Sequence, residues 1–240
     1  AMIQTAENVA KEAGISREQC DEVALRRYAQ YTDALKDDRT FQKRYMIPAE
    51  VKLSRKKSVA VEADEGVMET TTEGLARLRP VLPDGVITFG SQTHPADGNC
   101  GVVVTTSERA TELSTDPKIS VQVVSYGYHR TKKAHMAMAV VPAAEMALRN
   151  ANIKAADAAV IKTHNPFAAN DVYMADQMGI DVNGFNNYGS SLIFGHPQAP
   201  TAARLIIEGI EETVLKGGGY MLFAGCAAGD TGGALVLKVT

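Results

Sequence analysis

No stretch of this 240-residue chain approaches the roughly 18 consecutive apolar residues that a membrane-spanning helix needs, and its first residues are polar, unlike a signal peptide. Basic residues are not in excess. Twenty-five Lys and Arg against 28 Asp and Glu leave a formal net charge of -3, which gives no reason to expect a nucleic-acid partner. Cysteine is scarce: Cys20, Cys100 and Cys226 are odd in number and widely spaced, so they form neither a disulfide framework nor a metal cluster. Such thiols suit a reducing compartment and leave at least one free for chemistry. A soluble cytoplasmic protein with no membrane partner is therefore expected. Ala1 ahead of Met2 reads as a remnant in front of a natural start, so the gene product is expected to begin at Met2. What remains is ordinary globular composition, with 45% hydrophobic and 22% charged residues, and a length that permits one large domain or two modest ones.

The first third of the chain reads as helical and then irregular. Ser16-Arg17-Glu18-Gln19 is a capping-box pattern, with Gly14 before it as a stop for the preceding helix. From Arg17 to about Leu35, the residues Cys20, Val23, Ala24, Tyr28, Tyr31 and Leu35 fall near one helical face. Residues 36–66 are charged, and their basic run Arg55-Lys56-Lys57 reads as a solvated loop. Val86-Ile87-Thr88-Phe89 is a short strand candidate, and Gly101 to Thr106, apolar without alternation, reads as a buried strand. Ser107 caps a short helix after it.

From Lys118 onward strands and helices alternate. Strands are predicted over Ile119–Gly127 and Ala158–Ile161. Helices are predicted over Pro142–Ala151, Ala168–Met178 and about Ala202–Lys216, the first with proline in its opening turn. A final hairpin pairs Gly219–Ala224 with Ala234–Val239. This alternation implies an α/β layered fold.

Three motifs stand where such folds keep their chemistry. Gly195-His196-Pro197 lies at an expected strand-to-helix junction, where glycine permits close backbone approach and proline fixes the exit of the chain. Phe223-Ala224-Gly225-Cys226-Ala227-Ala228-Gly229 puts a thiol on an expected tight loop among small residues. These leave room for a substrate and leave backbone N–H groups unblocked, as an oxyanion site requires. Thr163-His164-Asn165-Pro166-Phe167-Ala168-Ala169 closes a buried strand, and the carboxyl ends of strands are where α/β sheets gather ligands. Taken singly each motif has a plainer structural explanation: a histidine in a turn, a buried cysteine.

In this order, the three resemble the thiolase family. Gly195-His196-Pro197 followed by a Gly-Cys-x-x-Gly hairpin is similar to the paired carboxyl-terminal signatures of thiolases, and His164-Asn165-Pro166-Phe167-Ala168 occupies the place of their Asn-Glu-x-Phe-Ala motif. Thr5-Ala6-Glu7-Asn8-Val9-Ala10, Ile15-Ser16-Arg17-Glu18 and Asp21-Glu22 resemble the thiolase loop domain. Leu78-Arg79-Pro80, Val86-Ile87-Thr88 and Asp97-Gly98 match the segment that follows. The resemblance implies a mixed sheet with helices on both faces. It further implies a loop-domain remnant over 1–85, the rest of an amino-terminal half-domain over 86–117, and a carboxyl-terminal half-domain over 118–240.

Thiolases, among them acetyl-CoA acetyltransferases and sterol-carrier-type thiolases of lipid metabolism, make or cleave β-ketoacyl-CoA with two cysteines. By match of motif, His196 activates the acylated cysteine and Cys226 is the acid/base, its pKa lowered by a nearby cation or N–H dipole. His164 stands where most thiolases have asparagine, as in the sterol-carrier type, and would donate directly to the thioester oxygen. Thr93, Phe167 and Gly229 are the candidate contacts to substrate and coenzyme A, and Arg79 is read as structural. No cofactor is implied beyond the acyl-CoA substrate. Met2 falls after the place of the family's nucleophilic cysteine, so the amino-terminal half-domain is expected to be incomplete, with unpartnered strand edges near 86–115. One expectation is a split thiolase, completed by a partner chain or within a homo-oligomer. Another is a truncated, non-catalytic module for binding coenzyme A or for assembly. A third is that the beginning has been lost from the sequence.

Overall fold

A computed structural model describes residues 2–240; the reading of Ala1 lies outside the described residues. Helix α1 (Met2–Ala13) stops at Gly14, whose φ of +68° is left-handed. Helix α2 (Arg17–Ala34) opens on the expected capping box: Ser16 Oγ accepts from the Gln19 amide at 3.2 Å, and Gln19 Oε1 accepts from the Ser16 amide at 2.8 Å. The buried face of α2 is not quite the one expected. It runs through Cys20, Val23, Ala24, Arg27, Gln30, Tyr31 and Ala34, while Tyr28 is half-buried and Leu35 is exposed. The three-and-four spacing holds, but a charged and an amide side chain occupy the stripe because both are fully paired inside.

Residues 36–66 are not wholly irregular. After the single turn α3 (Lys36–Arg39), strands β1 (Ala49–Ser54) and β2 (Lys57–Val61) form an antiparallel hairpin, with Arg55-Lys56 at its tip. The two strands satisfy each other's backbone groups locally, so they form without a core beneath them. Helix α4 (Thr72–Arg77) follows, capped by Thr71.

The expected strand at 86–89 does not form. Instead of pairing with a neighbouring strand, the amides of Val86 and Ile87 donate to the Glu7 carboxylate of α1 at 2.8–3.0 Å. The Ile87 side chain is buried in the core with Ala6, Ala10 and Leu75, and Phe89 is left exposed. Residues 101–106 are a second correction. They belong to no strand, and Val103 and Val104 are 77% and 78% exposed. Apolarity without alternation signals burial only where flanking strands exist, and none lies beside this segment. Helix α5 (Ser107–Leu113) takes its cap from Thr106, not from Ser107.

The remaining elements are β3 (Val121–Arg130), α6 (Val140–Ala151), β4 (Ala158–His164), α7 (Ala168–Met178), the single turn α8 (Ser191–Phe194), α9 (Thr201–Leu215), β5 (Gly219–Ala227) and β6 (Thr231–Val239). Four strands make one mixed sheet in the order β3-β6-β5-β4, antiparallel except for the parallel pair β5 and β4. Strand β5 sorts its side chains by the period of two. Met221 and Phe223 join the core that includes Leu205 of α9, whereas Leu222, Ala224 and Cys226 join the core that includes Ala143, Ala144 and Ala147 of α6. Helices therefore cover both faces, as expected for an α/β fold. A Cβ at Gly127 would meet the Ala143 carbonyl oxygen at 2.1 Å, so glycine is what lets α6 lie directly against β3.

One buried ion pair holds the front of the chain to this layer. Arg27 Nε donates to Asp171 of α7 at 2.8 Å, with both side chains essentially inaccessible. Its other nitrogens donate to Gln30 Oε1 and to the carbonyls of Phe185 and Val182. Every charge is answered, which is the condition under which such a pair survives burial. Replacing Arg27 by Met strands the Asp171 carboxylate, so the expected loss is about 3–5 kcal/mol of unfolding free energy. Urea denaturation at pH 7 measures it; a loss below about 1 kcal/mol would show that solvent, not Arg27, satisfies Asp171.

Candidate active site

The end of β4 delivers His164 and Asn165 into the protein, and Pro166-Phe167 turns the chain into α7. A second arm comes from α8, whose last residue is followed by Gly195 at φ +93° and then His196. His196 thus follows a helical turn, not the strand expected from Leu192-Ile193-Phe194. A Cβ at Gly195 would lie within 2.8–3.1 Å of Ala96 and His94, so the left-handed bend and the close approach both require glycine.

Residues 91–96 stitch the two arms together. The Ala168 amide donates to the Ser91 carbonyl at 2.9 Å, the Thr93 amide to Pro166 at 2.8 Å, and the His196 amide to His94 at 2.8 Å. Gln92 forms an isolated bridge with Phe167, and Pro95 one with His196. Thr93 Oγ1 donates to the Ser191 carbonyl, so this hydroxyl is committed to the frame although Thr93 lines the cavity beside it.

The stitched arms bring the two histidine rings to a centroid separation of 4.3 Å at 33°. Each Nδ1 is tied to a hydroxyl: His164 to Ser191 Oγ at 2.8 Å and His196 to Thr201 Oγ1 at 2.8 Å. A hydroxyl can donate to a bare Nδ1 and so favour Nε2–H, or accept from Nδ1–H, which makes Ser191 and Thr201 the controls on each tautomer. Burial pushes His164 down to about 3, with His196 adding to the effect, and burial lowers His196 as well. Both rings are neutral at physiological pH.

Cys226 is the penultimate residue of β5 and pairs with Gly232, so it sits on a strand and not on the expected tight loop. The residue is 8% exposed, and burial pushes its thiol up to about 12; the Asn170 side-chain amide, 3.4 Å from Sγ, opposes this. The expected N–H dipole is present, but desolvation wins, and the expected lowering of this pKa is corrected to a raising. At neutral pH the group is a thiol. Cys20 is buried in α2 and likewise pushed up to about 12.

His164, His196, Cys226, Phe167 and Thr93 all face one cavity of about 770 Å³, its walls otherwise largely apolar through Met136 and Phe223. Gly229 does not line it. With φ +85° it makes the turn between β5 and β6. Neither Cys20 nor Cys100 reaches the cavity. Among the described residues no cluster of His, Cys, Asp and Glu is arranged to hold a metal, and no helix is long and apolar enough to cross a membrane.

Three functional neighbours escaped the motifs: Asn170, Ser191 and Thr201. Asn170 sits one helical turn beyond Phe167 and Thr201 opens α9, but nothing in a linear pattern pairs them with a thiol or a ring. Arg27 had a visible signal, being a charge set in the apolar stripe of α2.

Residues 117–239 match the family model described as thiolase, C-terminal domain, and residues 1–108 match thiolase, N-terminal domain. The beta-ketothiolase BktB of Cupriavidus necator is 32% identical over 98% of this chain and 59% of its own length. The mitochondrial 3-ketoacyl-CoA thiolase of Homo sapiens is 29% identical over all of this chain and 59% of its own length. The crystal structure of the Bacillus anthracis acetyl-CoA acetyltransferase superposes with a TM-score of 0.93 at 28% identity, covering all of this chain and 60% of that one. The chain therefore spans about three fifths of the length of the relatives it matches.

The neutral buried histidine sets a pH dependence. With a folded pKa of about 3 against 6.5, His164 binds fewer protons folded than unfolded, so its stability contribution is complete above pH 6.5 and is lost as pH falls towards 3. The full shift corresponds to roughly 4–5 kcal/mol. Urea midpoints should drop over that window, and His164→Asn should flatten the drop; parallel slopes in both proteins would show that His164 is not held neutral.

Proposed function

We propose that this chain, which belongs to the thiolase family, handles the α-carbon proton of an acyl-CoA in the making or cleaving of a β-ketoacyl-CoA. The observation that carries this proposal is the convergence of His164, His196 and Cys226 on one cavity, from three segments that share no local sequence. Two neutral imidazoles side by side suit the task of binding a thioester oxygen. With the single Ser191 hydroxyl proton on the nearer His164 Nδ1 at 2.8 Å in place of Asn165 Oδ1 at 3.2 Å, and Thr201 donating to His196 Nδ1, each ring presents Nε2–H to the cavity, and two such donors between largely apolar walls stabilise the enolate oxygen where charge develops. A cation there would neutralise the enolate before reaction; a neutral donor does not.

Cys226 supplies the proton. In the cleavage direction its thiol protonates the α-carbon of the departing acyl-CoA enolate: the S–H bond breaks, the C–H bond forms, and the thiolate stays behind. In the synthetic direction the thiolate takes that proton and the electron pair of the C–H bond becomes the enolate. Because burial favours the thiol, the resting state is the acid, and Phe167 and Phe223 supply apolar walls of the cavity it faces. Coenzyme A thioesters are the substrates, with no further cofactor.

A two-cysteine scheme needs a second thiol, which becomes acylated. Of the three cysteines only Cys226 lines the cavity, so the acylated cysteine comes from outside these 240 residues, and a partner polypeptide that completes the assembly is its proposed source. His196, whose ring is half-buried, is the base that would take that thiol's proton, in the tautomer whose Nδ1–H donates to Thr201 Oγ1 and leaves Nε2 bare; once protonated there, the ring carries the Nε2–H that faces the thioester oxygen. Thr93 acts here through the frame, holding the α8 arm, and Phe167 is the apolar wall beside the acyl group.

The proton-handling half can be tested on the chain by itself. In heavy water, acetyl-CoA should exchange its α-hydrogens for deuterium in proportion to the chain added, as read by mass spectrometry of the thioester. Cys226→Ala should slow this exchange by about 100-fold or more, the usual scale of a lost acid/base. Exchange that is equally fast in the alanine variant would falsify the role given to Cys226. After the same incubation the intact mass of the chain should be unchanged; an acetyl group on any of its cysteines would remove the reason for a partner.

A further inference from the structure

Cys226 Sγ has one side-chain hydrogen-bond partner, and it is not a histidine. Asn170 lies in the first turn of α7, is 6% exposed, and donates Nδ2–H to Sγ at 3.4 Å. The other end of the same amide is unusual. Oδ1 of Asn170 is buried and has no hydrogen-bond partner, one of a small set of such atoms in the described residues. A buried amide oxygen without a partner is a standing cost, and it is kept only where something offsets it. The neighbouring Asn165 shows the contrast. Its Nδ2 donates to Asp171 and Ser190, and its Oδ1 accepts from the Leu192 amide, so both ends are fixed.

We propose that Asn170 is the positioning residue for proton transfer at Cys226, an untethered amide that donates to the thiolate and, turned end for end, accepts from the thiol. This rests on the acid/base role of Cys226 proposed above. The chemistry of the group requires both services. A thiolate needs an N–H donor and a thiol needs an acceptor, and an asparagine side chain carries one of each at equal reach. Because Oδ1 has no other bond to break, rotation about the last side-chain torsion exchanges the ends without loss. Burial holds the sulfur towards the neutral form, and the Asn170 amide, together with the backbone hydrogen bond at Cys226, opposes it.

When the thiolate takes the α-proton of the acyl-CoA, the C–H electron pair passes to the enolate and the proton forms S–H. The amide then turns its oxygen to that proton. On the return step the order reverses. Asn170 itself gains and loses no proton, so it touches the acid/base and not the substrate. Other residues of α7's first turn do not duplicate it: Ala168 and Ala169 carry no polar atoms, and Asp171 points to Arg27 and Thr163.

Alkylation of Cys226 by iodoacetamide reads the thiolate directly, without any acyl-CoA. Peptide mass spectrometry separates Cys226 from Cys20 and Cys100. In Asn170→Leu, which keeps the volume and removes both polar ends, Cys226 should alkylate about tenfold more slowly at a fixed pH, the effect of one pKa unit. Cys100 on the same molecules should react at its parental rate. Equal Cys226 rates in the parent and in the leucine variant overturn the proposal. Should the leucine variant not fold, nitrogen-labelled parent and Cys226→Ala chains carry the test. Removal of the sulfur should move the Asn170 side-chain amide resonances, and resonances that stay in place overturn it. Because no thioester is present, these outcomes are independent of the deuterium exchange that tests Cys226 as an acid/base. Exchange lost with alkylation unchanged rejects Asn170 alone, whereas exchange unaffected in Cys226→Ala rejects the role of the cysteine.

Discussion

Everything at the site depends on keeping polar groups dry, and the Arg27–Asp171 pair is what makes this affordable. Asp171 answers more than Arg27: Thr163 Oγ1 donates to its Oδ1 at 2.7 Å and Asn165 Nδ2 to its Oδ2 at 2.6 Å. Asn186 then fastens Thr163, through its own amide to Thr163 Oγ1 and by accepting from the Thr163 backbone amide. The end of β4 and the start of α7 are thereby locked around one carboxylate, with Asn165 passing the constraint on to Ser190 and Leu192 through its side chain and to the Ser191 hydroxyl through its backbone amide. His164 hangs from the last of these hydroxyls. A helix from the front of the chain thus determines where a ring at the far end of a strand points.

A second buried network does the same for the other histidine. Arg204 of α9 binds Asp64 through two nitrogens and Glu208 at 3.1 Å, and its guanidinium lies 3.6 Å from the centre of the Phe194 ring. Phe194 ends α8, immediately before Gly195 and His196. Lys162, wholly buried on β4, faces Glu208 at 3.6 Å and Glu212 at 3.8 Å and donates to the Asn187 carbonyl. Burial lowers the Lys162 pKa, and the two glutamates beside it oppose that shift without cancelling it. Such pairs contribute little net stability compared with apolar packing, and their value lies in the single geometry they allow.

Local periodicity carried most of the secondary structure. The capping box at Ser16, the helices read over 142–151 and 168–178 and the final hairpin are all visible in spacing alone, because each satisfies its own backbone. The failures share one cause. Residues 86–89 and 101–106 have strand-like composition, but a strand is a relation between two segments: Glu7 took the amides of the first, and nothing lies beside the second. The motif residues were legible because their neighbours are unusual in type, glycine and proline around His196 and small residues around Cys226. Their partners were not, since Ser191, Thr201 and Asn170 are common residues whose meaning is purely spatial.

The pKa of Cys226 shows why a motif does not fix a mechanism. The small residues around it were read as room for a substrate, with an N–H dipole to lower the thiol pKa. The same small residues let β5 sink between α6 and α9, and the resulting desolvation outweighs the dipole. Burial acts in opposite senses on the two kinds of group in the cavity. It raises an acid that is neutral when protonated, and it lowers bases that are neutral when deprotonated. The outcome is one consistent state, a thiol facing two uncharged imidazoles, reached without any charge in the lining being placed to produce it. A site prepared in this way stabilises charge only when the reaction creates it, on the enolate oxygen and on the sulfur, and those are the two atoms beside which the fold has set its donors.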